Sequence, residues 1–222
     1  MLAHVTKARY QKIMTVLRKR QPDLTLLAEN VYKPHNLSAM IRTGDAVGIG
    51  AVHALNPTGG VPTYNETSAS ANKWVEVRVL ASLREAKTTL GNAQFLAAHL
   101  SDEAVDYREV DYTKPTCILF GNEKEGVSQA AAELADAHIV IPMLGMVPSL
   151  NVSVATAVIL FEAQRQRLAA GLYDAPKLSS EAMNAQAFRW LYPRRAALLE
   201  ERGEPFPQLD EEGSPLESVE SG

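Results

Sequence analysis

Short apolar runs alternate with longer amphipathic stretches along most of the 222-residue chain. The apolar runs predict six buried strands, at residues 24–29, 50–55, 74–80, 94–100, 117–121 and 137–142. Between and after them, the spacing of apolar residues predicts helices at residues 36–47, 82–90, 128–134 and 151–170. This alternation is typical of an α/β fold in which a mostly parallel sheet carries helices on both faces.

Two helical extensions flank this alternating region. In residues 1–20, Tyr10, Ile13, Met14 and Leu17 share one helical stripe, and basic side chains project from the other side. Residues 181–201 also show a helical pattern, and an acidic tail rich in Pro and Gly follows. We therefore predict a basic N-terminal helix at 1–20, an α/β domain at 21–172 and a C-terminal helical extension with an acidic tail at 173–222.

Charge is distributed unevenly along the chain, whose net charge is only −4. Residues 1–20 carry six basic and no acidic side chains, whereas residues 200–222 carry a net charge of −7, which leaves the rest of the chain at +3. A mildly basic body indicates a polyanionic partner. The alternatives are a merely solvated basic helix face and a disordered acidic tail that only aids solubility.

Several classes of protein find no support. No stretch is long and apolar enough to span a membrane, and the N-terminus lacks the apolar core of a signal peptide. The single Cys117 lies in an apolar run, which favours a buried, reduced thiol and a cytoplasmic location. The five scattered histidines indicate no metal site, and no glycine-rich dinucleotide or P-loop motif is present.

The helix predicted at residues 151–170 is apolar nearly all round over its first half. A single core-facing stripe does not need so much apolar surface. We expect a homodimer that covers the second side, the alternative being a helix buried wholly within one large domain.

Three polar segments stand where a parallel sheet places its ligand sites. Residues 36–42, NLSAMIR, begin a helix, with Asn36 as its expected cap. Residues 120–126, FGNEKEG, follow a buried strand, and residues 143–151, MLGMVPSLN, lead into the apolar helix, with Ser149 and Asn151 as expected caps. Each segment alone is compatible with plain capping or solvation; together they indicate a binding site for a small polar ligand.

One further cluster, WLYPRR at residues 190–195, interleaves aromatic and basic side chains. Such residues can stack on nucleic-acid bases, but packing against the domain is the commoner use and is the one we expect here.

Taken together, NLSAMIRTGDAVG, the NPTGG and NETS segments, LFGNEKEGVS and IPMLGMVPSLNVSVATAVILFEAQRQR resemble the three motifs of the SpoU branch of the SPOUT methyltransferases. Within that branch the resemblance is to the TrmH group of tRNA (guanosine-2′-O-)-methyltransferases, and it covers about residues 1–175. It implies an α/β domain with a C-terminal trefoil knot, a homodimer, and S-adenosylmethionine as cofactor. It also implies methylation of the ribose 2′-hydroxyl of guanosine 18 in the D-loop of tRNA.

The resemblance also implies roles for individual residues. The expected catalytic set is Asn36, Arg42, Glu123, Ser149 and Asn151. The expected cofactor contacts are Ala98, Gly121, Ile141 and Leu150, and the expected RNA contacts are Arg9, Lys12, Arg20, Arg165 and Arg167. Because a guanidinium holds its proton too tightly to be a good general base, we expect Arg42, oriented by Asn36, to stabilise a developing alkoxide rather than to act as a base.

Three alternatives remain open at this point. A small-molecule α/β enzyme would have no use for the basic N-terminus, and a pure RNA-binding module would not bind S-adenosylmethionine. A related 2′-O-methyltransferase acting on another tRNA nucleotide or on rRNA is harder to separate, because RNA is recognised largely by shape.

Overall fold

The structure is a computed structural model and describes residues 5–55 and 73–216. The described chain divides into two compact units, residues 21–172 and the combined terminal segments 1–20 and 173–222. The NPTGG and NETS segments lie outside the described residues, as do Glu217 and Glu220 of the acidic tail.

The unit of residues 21–172 is built on one seven-stranded sheet. Its strands are β1 (Gln21–Glu29), β2 (Ile49–Leu55), β3 (Glu76–Leu80), β4 (Gln94–Ala98), β5 (Val105–Asp106), β6 (Thr116–Phe120) and β7 (Ala137–Val140). Their order in the sheet is β3-β2-β1-β6-β4-β7-β5, and all neighbouring strands pair in parallel. All six predicted strands are present, and the two-residue edge strand β5 is an addition that its length hid from sequence analysis.

Five helices of the chain belong to this sheet or flank it in sequence. They are α2 (Pro34–Val47), α3 (Leu83–Thr89), α4 (Gln129–Leu134), α5 (Val152–Ala169) and, in the other unit, α1 (Lys7–Leu17). The core explains why the sheet carries helices on both faces. Leu26 and Ile118, paired across β1 and β6, point into one apolar cluster with residues of α2 and α5. Their neighbours Leu27 and Leu119 point into a second cluster with residues of α3 and α4.

The terminal segments form the second unit. In α1, Ile13 and Leu17 are buried, and Tyr10 and Met14 are half-buried, as the stripe predicts. The helix predicted at residues 181–201 is instead two helices, α6 (Ser180–Leu191) and α7 (Pro193–Arg202). Pro193 opens α7 and restricts Tyr192 to a non-helical conformation, so the break has a local cause.

The beginning of the acidic tail is ordered within this second unit. Asn184 bonds both the carbonyl of Pro207 and the amide of Leu209, and Phe206 stacks on Phe188. The Tyr192 hydroxyl donates to the carbonyl of Gly213. Up to residue 216 the tail is therefore part of a folded unit rather than a disordered, purely solvating terminus.

Candidate active site

Three neighbouring strands end side by side at one edge of the sheet. β6, β4 and β7 are consecutive in the sheet, and their carboxyl ends are marked by Gly121, Ala98 and Ile141. All three residues were expected to contact a cofactor. The fourth expected contact, Leu150, is half-buried just before α5. The strand ends therefore offer main-chain groups with small or apolar side chains, at the edge where parallel sheets bind ligands.

The loop after β6 is closed tightly on itself. The amide of Asn122 donates to the carbonyl of Gly126 at 3.0 Å, and the amide of Gly126 donates back at 3.1 Å. A Cβ on Gly121 would lie 1.8 Å from the Gly126 carbonyl oxygen, so only glycine fits there. The side chain of Asn122 accepts from the amides of Lys124 and Glu125. This closure fixes the path of the backbone on both sides of Glu123.

Three of the five expected catalytic residues form one hydrogen-bonded cluster. The Asn36 amide donates to Glu123 Oε1 at 2.5 Å, and the Asn151 amide donates to Asn36 Oδ1 at 3.2 Å. Asn151 in turn accepts from the amide and hydroxyl of Ser153. Asn36 is 1% exposed. Segments 87 and 115 residues away from Asn36 in the chain thus meet at its side-chain amide. Because burying a polar amide is costly unless it is hydrogen-bonded, these three side chains form a fixed cluster and are not simply solvated.

The structure corrects two expectations about helix caps. α2 begins at Pro34 with Lys33 as its N-cap, so Asn36 lies inside the first turn and its side chain is free to bond Glu123 and Asn151. α5 is capped by Asn151, as expected, but Ser149 lies two residues earlier in an exposed loop and is not a cap. Proline at the first helical position accounts for the shift in α2, because its missing amide needs no partner there.

Arg42 and Ser149 are not joined to this cluster by a hydrogen bond. Arg42 lies on the exposed side of α2, six residues and about 9 Å along the axis from Asn36. Because Asn36 bonds Glu123 and Asn151, it does not orient Arg42 as the sequence led us to expect. In the part of the chain that the structure describes, the Arg42 guanidinium makes no hydrogen bond or ion pair, so it remains accessible to a bound molecule.

The loop between β7 and α5 is prominent at the surface. Leu144 and Met146 are fully exposed, and Val147 is 57% exposed. A Cβ on Gly145 would meet no atom within 4 Å, in contrast to Gly121. The contacts within this unit therefore require glycine at residue 121 but not at residue 145.

The five residues expected to contact RNA divide into two groups. Arg9, Lys12 and Arg165 are exposed. Arg20 is 5% exposed and stacks on Trp190, and Arg167 is completely buried. The expectation for Arg20 and Arg167 is corrected, because neither guanidinium faces solvent.

Arg167 is the centre of a buried hydrogen-bond network. Its guanidinium donates to the carbonyls of Tyr112 and Lys114, to Gln21 Oε1, and to Asp23 Oδ1 at 2.7 Å. Four acceptors from two other segments hold this side chain, which ties the end of α5 to the start of β1. Its role in the fold is structural.

Sequence analysis missed one charged group near the strand ends, the carboxylate of Glu29 at the end of β1. It is buried and bonds Ser128, the N-cap of α4. A charged residue directly after the mostly apolar run LTLLA of residues 24–28 was the signal that could have revealed it.

Two further properties of the described residues bear on the kind of site. In the described ranges, no three His, Cys, Asp or Glu side chains are grouped so that they could hold a metal ion. None of the described helices combines the length and apolar composition that crossing a bilayer requires.

Comparison with known proteins adds independent information. A family model described as the SpoU rRNA methylase family matches residues 23–161, and a model of the C-terminal region of SpoU rRNA methylases matches residues 165–217. A relative from Thermus thermophilus, named tRNA (guanosine(18)-2′-O)-methyltransferase, is 62% identical over 84% of this chain and 97% of its own length.

Solved structures agree with these matches. The crystal structure of the A. aeolicus TrmH/SpoU tRNA modifying enzyme is similar with a TM-score of 0.79 and 44% identity, over 84% of this chain and 96% of that one. The AdoMet-bound rRNA methyltransferase from Sinorhizobium meliloti is similar with a TM-score of 0.59 and 29% identity, over 68% of this chain and 59% of that one.

Proposed function

The chain belongs to the SpoU rRNA methylase family, and from this premise we propose that it methylates the ribose 2′-hydroxyl of guanosine 18 in tRNA. S-adenosylmethionine is the methyl donor. The observation that carries the proposal is the cluster of Asn36, Glu123 and Asn151 beside the ends of β6, β4 and β7. It unites one polar residue from each of the three motif segments.

The choice of tRNA over rRNA rests on the extent of similarity. The Thermus relative named for guanosine 18 of tRNA matches over nearly its whole length, at 62% identity. The rRNA methyltransferase structure matches over 59% of its length, at 29% identity. A similarity that includes both ends of the relative favours a shared RNA substrate.

The residues at the strand ends fit S-adenosylmethionine. Ile141 and Leu150 are half-buried apolar side chains that suit an adenine ring, and the small, half-buried Ala98 leaves its main chain open to approach. Gly121, the fourth proposed contact, is buried, and the Gly126 backbone fills its Cβ position. When bound, this cofactor supplies an electrophilic methyl group. The protein must then hold the acceptor oxygen in line with that group and assist loss of its proton.

We assign these tasks to the expected catalytic set. Glu123, held by Asn36, and Asn151 orient the substrate nucleoside, and Ser149 in the adjacent loop adds a hydroxyl. A guanidinium is a cation that donates hydrogen bonds and accepts none, so Arg42 stabilises the alkoxide as it develops. The proton passes to a phosphate or to water.

Arg42→Lys is expected to lose most turnover while tRNA affinity stays unchanged; a variant that keeps its turnover would contradict the need for a guanidinium.

For tRNA binding we propose the exposed basic face of α1, with Arg9 and Lys12, together with Arg165 of α5. Lys and Arg at a surface bind phosphates without reading sequence, which suits recognition of a folded RNA by shape. Residues 1–20 are then a tRNA-binding helix, residues 21–172 the methyltransferase domain, and residues 173–222 a C-terminal helical extension with an acidic tail.

We also propose that the protein is a homodimer. Val154, Phe161 and Leu168 recur every seven residues along α5 and are 47%, 50% and 53% exposed. They lie on one side of α5, and the exposed Leu144 and Met146 precede the same helix. An apolar surface of this kind is typical of a contact with a second copy of the chain.

Two further features follow from family membership. We infer that the C-terminal part of the domain is knotted, because β7 inserts between β4 and β5 and α5 then packs against α2. An experimental chain trace from β4 to α5 tests this.

We place the protein in the cytoplasm, in accord with its buried Cys117. Burial raises the pKa of this thiol to about 12, and it is therefore not reactive.

The experiment that tests the proposed function supplies the enzyme with labelled S-adenosylmethionine and an unmodified tRNA transcript, and maps the methylated nucleotide. We expect label on the ribose of guanosine 18 and none on an rRNA fragment. Label at another nucleotide, or on the rRNA fragment alone, would favour the related enzyme with a different RNA substrate.

A further inference from the structure

We propose that Glu29 is a positioning residue for the methyl-transfer reaction, because it anchors the loop that carries Glu123. The inference rests on the proposed function and adds to it a residue outside the catalytic and binding sets described above. Glu29 does not bond Asn36 or Asn151, and it acts on the site only through the loop.

The environment of Glu29 is unusual for a carboxylate. Its residue is 4% exposed, at the carboxyl end of β1. Both of its oxygens are used, since Oε2 accepts from the amide of Ser128 at 2.9 Å and Oε1 accepts from the Ser128 hydroxyl at 2.6 Å. A buried carboxylate is costly unless its oxygens are bonded, so its position is tightly coupled to that of Ser128.

Glu29 and its strand together fix both ends of the loop. At the start, Ala28 of β1 pairs with Phe120 of β6, immediately before Gly121. At the end, Glu29 grips Ser128, which follows the buried Val127. One short segment of β1 therefore holds the two points between which the loop of residues 121–127 is suspended.

The loop itself transmits this anchoring to the active site. It is closed by the two backbone hydrogen bonds between Asn122 and Gly126 and by the close approach of Gly121 to Gly126. It has little freedom to absorb a displacement of Ser128. A shift there moves Glu123, and with it the hydrogen bonds that run from Glu123 through Asn36 to Asn151.

The test replaces Glu29 by Gln, which keeps the shape but removes the charge that strengthens both bonds. We expect kcat to fall about tenfold, the effect of losing the charge-assisted part of such a contact, with the KM for tRNA and for S-adenosylmethionine unchanged. In a Glu123→Gln background, the same change is expected to have no further effect on kcat, because the two residues act as one unit.

A matched control exists elsewhere in the chain. Glu85 also accepts from a backbone amide, that of Ala81, beside the Ser82 cap of α3, but it is exposed and lies in the first turn of α3, away from the loop of residues 121–127. Glu85→Gln should leave kcat unchanged in both backgrounds. If Glu29→Gln fails to fold, Ser128→Ala removes the hydroxyl bond to Glu29 together with the cap bond from the amide of Ala131, and keeps the amide bond to Glu29. A smaller loss of kcat, again absent in the Glu123→Gln background, is then expected.

Three results would overturn the inference. The first is a normal kcat in Glu29→Gln, or in Ser128→Ala where that variant replaces it, whatever the change in thermal stability. The second is a multiplicative loss of kcat in the double variant, which would mean that Glu29 acts independently of Glu123. The third is a rise in the KM for tRNA or for S-adenosylmethionine that is as large as the fall in kcat. A chain that methylates a different nucleotide would disprove the proposed substrate without touching this coupling, so the two failures are distinguishable.

Discussion

Replacing Arg167 by Met is expected to lower the free energy of unfolding by about 4 kcal/mol, within the range for breaking a buried ion pair by removing one partner. Methionine retains most of the apolar stem, so the change removes the guanidinium with little loss of volume. What it leaves behind decides the magnitude.

The guanidinium serves four acceptors, Gln21 Oε1, Asp23 Oδ1 and the carbonyls of Tyr112 and Lys114. The Asp23 side chain is 26% exposed and regains some water, whereas Gln21 is completely buried. Each buried acceptor left without a partner costs about 1–3 kcal/mol, and not all of these costs add, which gives the figure above. For a chain of this size the loss corresponds to a fall in Tm of roughly 8–16 °C.

The assay is urea-induced and thermal unfolding followed by circular dichroism, with tRNA binding measured in parallel. Arg165→Met is the matched control on the same helix. The Arg165 side chain is 67% exposed and pairs with Glu162, whose side chain is 11% exposed and keeps its bond from Gln166, so the loss of Arg165 should cost about 1 kcal/mol. The reasoning would be refuted if both variants unfolded alike while Arg167→Met lost tRNA affinity, because Arg167 would then be a phosphate contact after all.

The remaining predictions concern binding, assembly and pH. Replacing Arg9 and Lys12 by Ala should weaken tRNA binding and reduce its salt slope by roughly 1–2, with S-adenosylmethionine binding intact; an unchanged slope in filter binding would contradict the role of α1. Phe161→Glu should yield monomers in sedimentation velocity, and a persistent dimer would exclude the apolar stripe as the interface. His53 is completely buried and burial lowers its pKa, so protonation favours the unfolded state. This histidine therefore does not lower the free energy of unfolding above a pH of about 6.5. Below that pH the free energy of unfolding falls by up to about 1.4 kcal/mol per pH unit, and His53→Leu should flatten this dependence in urea titrations.

The strands could be predicted from the sequence because a parallel sheet covered on both faces needs continuous apolar runs. Leu26 and Leu27 are adjacent in the chain and enter different core clusters, so both positions must be apolar. The short edge strand β5 lacks such a run and was not predictable. The break at Pro193 was visible in the sequence and should have divided the last predicted helix.

The sequence could indicate which residues belong to the proposed site, but not which hydrogen bonds they form. The motif segments identified Asn36, Glu123 and Asn151, but only the fold brings residues so distant in sequence to one amide. Capping preferences are local, and they predicted that Asn36 caps the helix. The helix instead begins two residues earlier, at Pro34, so Asn36 lies inside its first turn. No local rule predicts that a side chain bonds across the sheet instead of to its own helix.

The two arginines of α5 show a signal that was available and missed. Arg165 and Arg167 are two residues apart, about 200° around the helix, and cannot share a face. The buried residues Thr156, Ile159, Leu160 and Ala163 define a stripe that continues to Arg167 and leaves Arg165 outside. Helical phase, applied to each charged residue, separates a structural arginine from a surface one.

The proposed function requires that this protein methylate one oxygen atom, the ribose 2′-hydroxyl of guanosine 18. Two otherwise identical tRNA transcripts, one with guanosine and one with 2′-deoxyguanosine at that position, test it with labelled S-adenosylmethionine. One methyl group per molecule is expected in the first transcript and none in the second. Equal labelling of both transcripts would contradict it, because the methyl group would then reside on another atom.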